Sequence, residues 1–454
     1  MPVISRMSIL VVLLTGLPTF VMAAETFSLE DGGASDATVA RVVTVSGEGE
    51  FLFQAAEAEG EPTRHPVTVE ASYQYLERRL PGVGPNAAAF RALRDYADAT
   101  SRITVGGQTV ERALREDRQE IVAWLTRAGL DVYSRNGPLT ATEIELLPSP
   151  GDHLMLAALL PKGPVRVGQN WSPDDWTAAM LAGVEVAFEK KISCQLASVD
   201  ESIARVTFTS EVEGAAKGTT ITTKISGEFG FDLKEGRIVS ATITHEEERG
   251  VGPLSPGMNI TLTATLVSQP VSQEYAISDD AVGKIGAAPP TADELAIEYS
   301  FPWGVSLICD RAWQLFHRSE GRVILRLLDQ GGVLAQCNMI RAEKVAPGAR
   351  TDERLFQQGI RDSLGEALSE IVSAEDLVVG DDKRIYRVTA VGGSESLPRQ
   401  WVYYLVTAPD GRQVSFVFTI EPKNIEQLSG RDAELVKAVR FVEIEKTKTP
   451  TPVE

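Results

Sequence analysis

The feature that most constrains this chain is a period-two alternation of apolar and polar residues. Val43, Val45, Phe51 and Phe53 share one parity, and so do Val67, Val69, Ala71, Tyr73 and Tyr75. Beyond a middle stretch of different character, five more runs repeat the pattern. They are carried by Val184, Val186, Phe188, Ile192, Cys194 and Leu196; by Ala204, Val206, Phe208 and Val212; by Ile221, Ile225, Phe229 and Phe231; by Val239, Ala241 and Ile243; and by Met258, Ile260, Leu262, Ala264 and Leu266. Successive side chains of a strand face opposite sides, so each run has one face to bury and one to leave in water. Short turns such as Asp200-Glu201, Glu213-Gly214 and Lys234-Glu235-Gly236 join the runs. Connections this short suit antiparallel neighbours only. The expectation for residues 40–275 is a curved antiparallel meander.

A buried face needs a cover, and the middle of the chain, 86–182, is expected to supply one as a helical insert. Phe90, Leu93 and Tyr96 fall at helical spacing within 86–99. Thr140-Ala-Thr-Glu143 is a capping-box pattern, and Ser172-Pro173-Asp174-Asp175 reads as a second helix start. Alternation lapses over 276–296, which carries Pro289-Pro290 and reads as a linker. From 297 to 443 the order of elements changes. A hairpin spans 322–340, and Phe356, Ile360, Leu364, Leu368 and Ile371 form a helical stripe over 352–371. Strands near 383–391, 400–407 and 413–420 follow, with a closing helix near 430–438. Strands, helix, strands, helix predicts an α+β unit. The fold class is therefore mainly β plus α+β.

The two ends of the chain differ from its body. Arg6, the apolar run 9–14 and the small residues Ala23 and Ala24 read as a secretory signal of residues 1–23. The polar stretch 24–39 reads as a flexible lead-in and 444–454 as a disordered tail. Nothing after residue 23 reaches the roughly 20 apolar residues of a membrane span. The expected location is exported, periplasmic or extracellular, with no transmembrane segment in the mature chain.

Residues 297–443 resemble the PsbP-like family. The resemblance is carried by Trp401-Val-Tyr-Tyr-Leu405, Pro409-Asp-Gly411, Phe416-Val-Phe-Thr419 and the terminal Arg440-Phe441, where members often have Ser-Phe. It implies an α+β sandwich that serves in assembly or binding, and no catalytic residue. The first unit, with Val167-Gly-Gln-Asn-Trp171 ahead of the long meander, is similar to exported half-barrel domains of the LolA/LolB lipoprotein-carrier type.

The chemistry on offer is sparse. With 63 acidic against 44 basic residues the formal net charge is −19, which excludes a generic nucleic-acid binder. No phosphate loop, dinucleotide fingerprint or nucleophile elbow occurs. The four histidines are scattered. His245-Glu-Glu-Glu-Arg249 lacks the second histidine of a zinc-protease motif, so no metal and no cofactor is expected. The acidic pairs Asp174-Asp175, Asp279-Asp280 and Asp381-Asp382 read as solvated charges. Cys194 shares the apolar parity of its strand, leaving Cys309 and Cys337 as candidates for a disulfide, as an exported protein allows. His245 is in phase with Val239, Ala241 and Ile243. With Phe208, Phe229, Phe231 and Leu262 it makes up a candidate ligand-binding concave face, and no residue is assigned to catalysis. The reading is an exported, non-catalytic binding or assembly protein of the bacterial cell envelope whose partner is an unknown protein or apolar ligand. Two alternatives stand beside it: a carrier of an apolar, lipid-like ligand in the first unit, and an unrecognised hydrolase.

Overall fold

A computed structural model describes residues 25–31, 37–53, 62–80, 90–216, 218–252, 256–329, 332–377, 383–394 and 397–443. The signal at 1–23, the tail at 444–454 and Asp381-Asp382 lie outside the described residues. The chain is mainly β, built of large antiparallel sheets with few helices, and the sheets are open rather than closed into a barrel.

The first half contains strands Thr38–Phe53 (β1), Thr63–Arg79 (β2), Arg91–Val105 (β3), Gln108–Ala113 (β4), Glu120–Thr126 (β5) and Gly129–Ser134 (β6). Leu139–Thr140 (β7), Asn170–Trp171 (β8), Val186–Asp200 (β9), Ile203–Ala216 (β10), Thr219–Asp232 (β11), Arg237–Arg249 (β12) and Gly257–Pro270 (β13) follow. Between them lie the helices Ala141–Leu146 (α1), His153–Ala157 (α2) and Thr177–Ala182 (α3). One sheet takes the order β6-β5-β3-β2-β1-β13-β12-β11-β10-β9-β8, with β4 paired to β3. The meander β9 to β13 is the five-run pattern of the sequence. Its inward parity (Val206, Phe208, Ile225, Phe229, Ile243, Ala264, Leu266) packs in one core with Leu146, Leu154, Leu156 and Met180 from α1, α2 and α3. Val186 and Phe188 share the apolar parity of β9 yet are exposed, because the register with β10 slips between Ala187 and Glu189 and it is Ala187 that packs inward. The capping box forms as expected: Thr140 Oγ1 accepts from Glu143 N, and the Glu143 carboxylate accepts from Thr140 N.

Four expectations need correction here. Residues 91–99, expected in a helix, are part of strand β3, paired with β2 and β5. The second helix starts at Thr177 rather than near Ser172, and Asp174 and Asp175 instead pair with Lys162 and Lys190. The lead-in is anchored, since Leu29 is buried in the main core and Phe27 and Val165 exchange backbone hydrogen bonds of 2.8 and 2.9 Å. The stretch 276–296 is no free linker. Ile277 is buried with Leu80, Leu93, Val122 and Tyr133 on the other face of the sheet, and the helix Asp279–Gly283 (α4) starts on a Ser278 cap.

The second half adds Ile297–Phe301 (β14), Val305–Cys309 (β15), Trp313–Arg318 (β16), Arg322–Asp329 (β17), Gly332–Ala342 (β18) and helix Glu353–Leu364 (α5). Leu368–Leu377 (β19), Arg384–Ser394 (β20), Leu397–Thr407 (β21) and Gln413–Ile420 (β22) follow, then Ile425–Leu428 (α6), Arg431–Lys437 (α7) and Val439–Phe441 (β23). A seven-stranded sheet has the order β16-β17-β18-β22-β21-β20-β19, and a smaller one the order β23-β15-β14-β7. The expected long helix over 352–371 ends at Leu364, and Leu368 and Ile371 belong to strand β19. Between the two sheets lies a second core around Trp313, Leu325, Met339, Tyr404, Phe416 and Phe418. The smaller sheet crosses the expected domain boundary, because β7 pairs in parallel with β14. Arg115 reinforces the join by bonding both Glu143 and Glu298.

Candidate functional site

Three of the five residues expected to line a ligand-binding concave face are packed into the core, and Leu262 and His245 are half-buried beside it. Phe208, Phe229 and Phe231 are 2%, 0% and 1% exposed, and the Phe208 and Phe229 rings stand 6.3 Å apart. Gly227, opposite Phe208 in the register, makes room for that ring: a Cβ there would come within 3.0 Å of Phe208 Cε1. Leu262 is half-buried against the same core. His245 and Phe208 do meet, at a cavity of about 20 Å³ that they share with Met155, Leu156 and Leu181. A space of that size suits a single water molecule, so the face expected to hold an apolar ligand is filled by its own side chains. His245 lies 3.6 Å from Glu247, which also bonds Arg249.

Deeper in the same half, charged residues converge. Glu77 accepts from Arg41 Nε (2.8 Å) through one oxygen and from Arg94 Nε (2.9 Å) through the other. The Arg94 terminal nitrogens bond both oxygens of Asp152 at 2.7 and 2.8 Å. Asp152 also caps α2 by accepting from Leu154 N. His153 Nε2 lies 3.0 Å from Glu77. These side chains are almost wholly excluded from solvent. Burial pushes the Glu77 carboxyl up, but Arg41, His153 and Arg94 override it and hold the group well below its ordinary value. Asp152 is likewise pushed up by burial and held down by Arg94. Burial, aided by the Arg41 charge, lowers His153 to about 4. At neutral pH its imidazole is therefore neutral, and it donates from Nε2 to the Glu77 carboxylate. Nδ1 is then an acceptor, buried and without a partner among the described residues. His153 also lines a cavity of about 20 Å³ with Asp31, Arg41, Glu77, Arg79 and Arg237. The network ties α2 to the sheet and has no room for a substrate. Sequence reasoning missed it, although one signal was present: Arg41 and Glu77 occupy the apolar parity of β1 and β2.

A much larger cavity lies in the other half. A cleft of about 490 Å³ opens between the small sheet and the seven-stranded sheet. Trp303, Val305, Gln413 and Val414 are buried at its floor, and Phe441 forms a wall. Exposed Arg341, Glu343 and Lys344 stand at the rim with half-buried Arg412. The turn that presents Arg412 depends on Gly411, whose φ of +86° favours glycine and whose Cβ would sit 2.0 Å from the Val345 carbonyl oxygen. Arg412 is fixed by Asp410 (2.7 Å) and by the carbonyls of Gly304 (2.9 Å) and Val442 (2.7 Å). Hydrogen bonds from the Arg412 backbone and side chain, with the nearby Lys344 charge, lower the Asp410 carboxyl. No other bond of the Arg341 or Lys344 side chains to described residues is present. Four separate segments build this cleft, so no local motif marked it.

Cys309 and Cys337 are both buried in the core between the two sheets, and with Cys194 they are free thiols. The expected disulfide is not formed in the structure. The two belong to different sheets, Cys309 in register with Ile297 and Cys337 with Leu325 and Phe418, and the Cys309 thiol is near enough to add to the upward shift of Cys337. Burial pushes both thiols up, Cys309 to about 12. Among the described residues no group of three or more His, Cys, Asp or Glu is placed to hold a metal ion. Among them, too, no helix is long and apolar enough to cross a membrane.

No protein-family model and no curated protein sequence matches this chain. Solved structures give weak likenesses. Lipovitellin, in a structure of its lipid–protein interactions, is 13% identical over 54% of this chain and 26% of its own, with a TM-score of 0.32. DynF, from the dynemicin biosynthesis pathway of Micromonospora chersina, is 6% identical over 57% of this chain and 92% of its own, with a TM-score of 0.16. The lipoprotein-carrier resemblance finds no support among these likenesses. Over 35% of its length the chain is weakly similar to cyanobacterial PsbP from Synechocystis sp. PCC 6803, covering 98% of that protein at 15% identity and a TM-score of 0.27.

Proposed function

We propose that this chain is an exported, non-catalytic binding or assembly protein of the bacterial cell envelope, acting through the cleft of its second half. The observation that carries the reading is the contrast in available space. The cavities beside the candidate concave face and the buried network are about 20 Å³, whereas the cleft offers about 490 Å³ beside Arg341, whose side chain bonds no described residue. A lipid carrier needs an unfilled interior, and Phe208, Phe229 and Phe231 occupy it. A hydrolase acting through the buried carboxylates Glu77 and Asp152 needs them accessible, and both are sealed and paired with arginines. Export rests on the signal-like pattern of residues 1–23.

Native mass spectrometry of the protein purified from the envelope fraction of its own host tests this reading. The expected spectrum shows a chain lacking residues 1–23 with a protein held in fixed ratio. A co-purified lipid in place of the protein overturns the reading in favour of the carrier.

A further inference from the structure

We propose that the cleft between the two sheets of the second half binds an organic anion, a carboxylate joined to a flat apolar body. This deepens the binding reading above and rests on it. The volume of about 490 Å³ lies inside the range of roughly 300–1,000 Å³ usual for small-ligand sites. Its floor and wall are apolar where Trp303 and Phe441 meet Val305 and Val414, which suits a ring or an alkyl group.

The rim supplies the charge. Cations converge there in a chain whose acidic residues outnumber the basic ones by 63 to 44. Carboxylates are thus abundant, and buried arginines such as Arg41 and Arg94 are saturated by them. Arg341 and Lys344 form no ion pair with a described carboxylate, although Glu343 lies between them in sequence and the Lys344 charge is felt by Asp410. Arg412 is already held by Asp410 and two carbonyls, and leaves Nη2 without a partner among the described residues. An arginine fork in water, next to an apolar floor, recognises a carboxylate by paired charge-assisted hydrogen bonds. Glu343 on the same rim opposes an anion, and it gives the assignment a second, opposite sign to test.

Two sources share this chemistry: a free organic acid, and the terminal carboxylate of a peptide ending in an apolar residue. The probe is 2-naphthoate, titrated into the full chain by calorimetry and by tryptophan fluorescence. One saturable site is expected. Replacing both cations, Arg341→Gln with Lys344→Gln, should weaken it by about tenfold or more, while Glu343→Gln should tighten it by about threefold. The neutral 2-naphthamide should not compete. Both cations are exposed and their side chains bond no described residue, and an unchanged thermal transition verifies that the variants remain folded. Absence of saturable binding, equal binding by the double variant, or equal binding of the amide overturns the proposal. A peptide ending in free phenylalanine, compared with its C-terminal amide, then identifies the source. Displacement by the acid form alone indicates a partner chain, and displacement only by small acids indicates a metabolite. If naphthoate fails while native spectra still carry a stoichiometric protein, the anion site falls and the binding reading stands. A titrating cleft with no protein in the spectra keeps the anion site and overturns the assembly part of that reading.

Discussion

Arg94 and Arg341 show how differently the two halves of this molecule use one side chain. Arg94 is 0% exposed, bonds Glu77 and both oxygens of Asp152, and lies 5.0 Å from the Tyr75 ring centre. Arg341 is exposed at the rim of a cleft and bonds no described side chain. Burying a charge costs several kcal/mol unless partners surround it, so an arginine inside a sheet has to be saturated within the fold. Once saturated it holds α2 in place, and nothing of it remains for a ligand. An arginine left in water has no such debt and can exchange water for a visiting carboxylate. Between these two arginines, the charge in the first half specifies packing, and the charge at the cleft rim is the one that the proposed reading assigns to recognition.

The largest expected effect attacks the saturated side of that contrast. Arg94→Leu removes the guanidinium that bonds both oxygens of Asp152 and leaves Glu77 with Arg41 and His153 alone. Removing one partner of a buried pair costs about 3–5 kcal/mol, read as a fall in the urea midpoint at unchanged slope. A loss below about 1 kcal/mol would mean that the remaining groups rearrange to satisfy one another, and the network would not be specifying the packing.

Acid should loosen the same network one step less severely. The folded His153 titrates near 4 and its ordinary value is 6.5. The unfolded chain therefore takes up this proton first as pH falls. The stability from keeping the imidazole neutral is complete above pH 6.5 and is lost between there and about 4, about 3 kcal/mol in all. Glu77 and Asp152, both held low, add a second loss below the ordinary carboxylate range, where the unfolded carboxylates protonate and the folded ones do not. In a series of urea melts from pH 7 down to about pH 2, His153→Gln should flatten the upper part of the curve and leave the lower part. An equally steep fall in the variant would assign the upper window to groups outside the network.

The alternation of β9 to β13 was legible because one face of that sheet is buried and the other wet, so parity survives in the residues. Arg91–Val105 was not, because this strand is covered on both faces where it begins. Ala92 and Tyr96 enter the main core, while Leu93 faces Val122, Tyr133 and Ile277 on the opposite side. Alternation disappears there, and Phe90, Leu93 and Tyr96 are left at intervals that a helix would also give. Alanine-rich sequence favours the helix locally, and pairing with β2 and β5 overrides it. Leu368 and Ile371 misled in the same way, by continuing the spacing of α5 into an edge strand. The buried network left a faint trace in Arg41 and Glu77, charged residues at apolar parity. The cleft left none. Trp303, Arg341, Arg412 and Phe441 meet only because β15, β18, β22 and β23 converge at one end of two sheets.

The smallest expected effect completes the contrast from its other side. If Arg341 is free for recognition, its removal should leave the fold indifferent. Arg341→Gln keeps part of the aliphatic stem and the polarity, loses the charge, and breaks no side-chain bond to a described residue. Its stability should stay within about 0.5 kcal/mol of the parent chain, against the several kcal/mol expected for Arg94→Leu. Raising the salt concentration should not separate the two chains either, because an unpaired surface charge leaves little for ions to screen. Parallel urea melts at low and high salt measure both points. A loss of 1 kcal/mol or more, shrinking as salt rises, would reveal a structural partner for Arg341. The two arginines would then differ in degree of burial and not in kind of work.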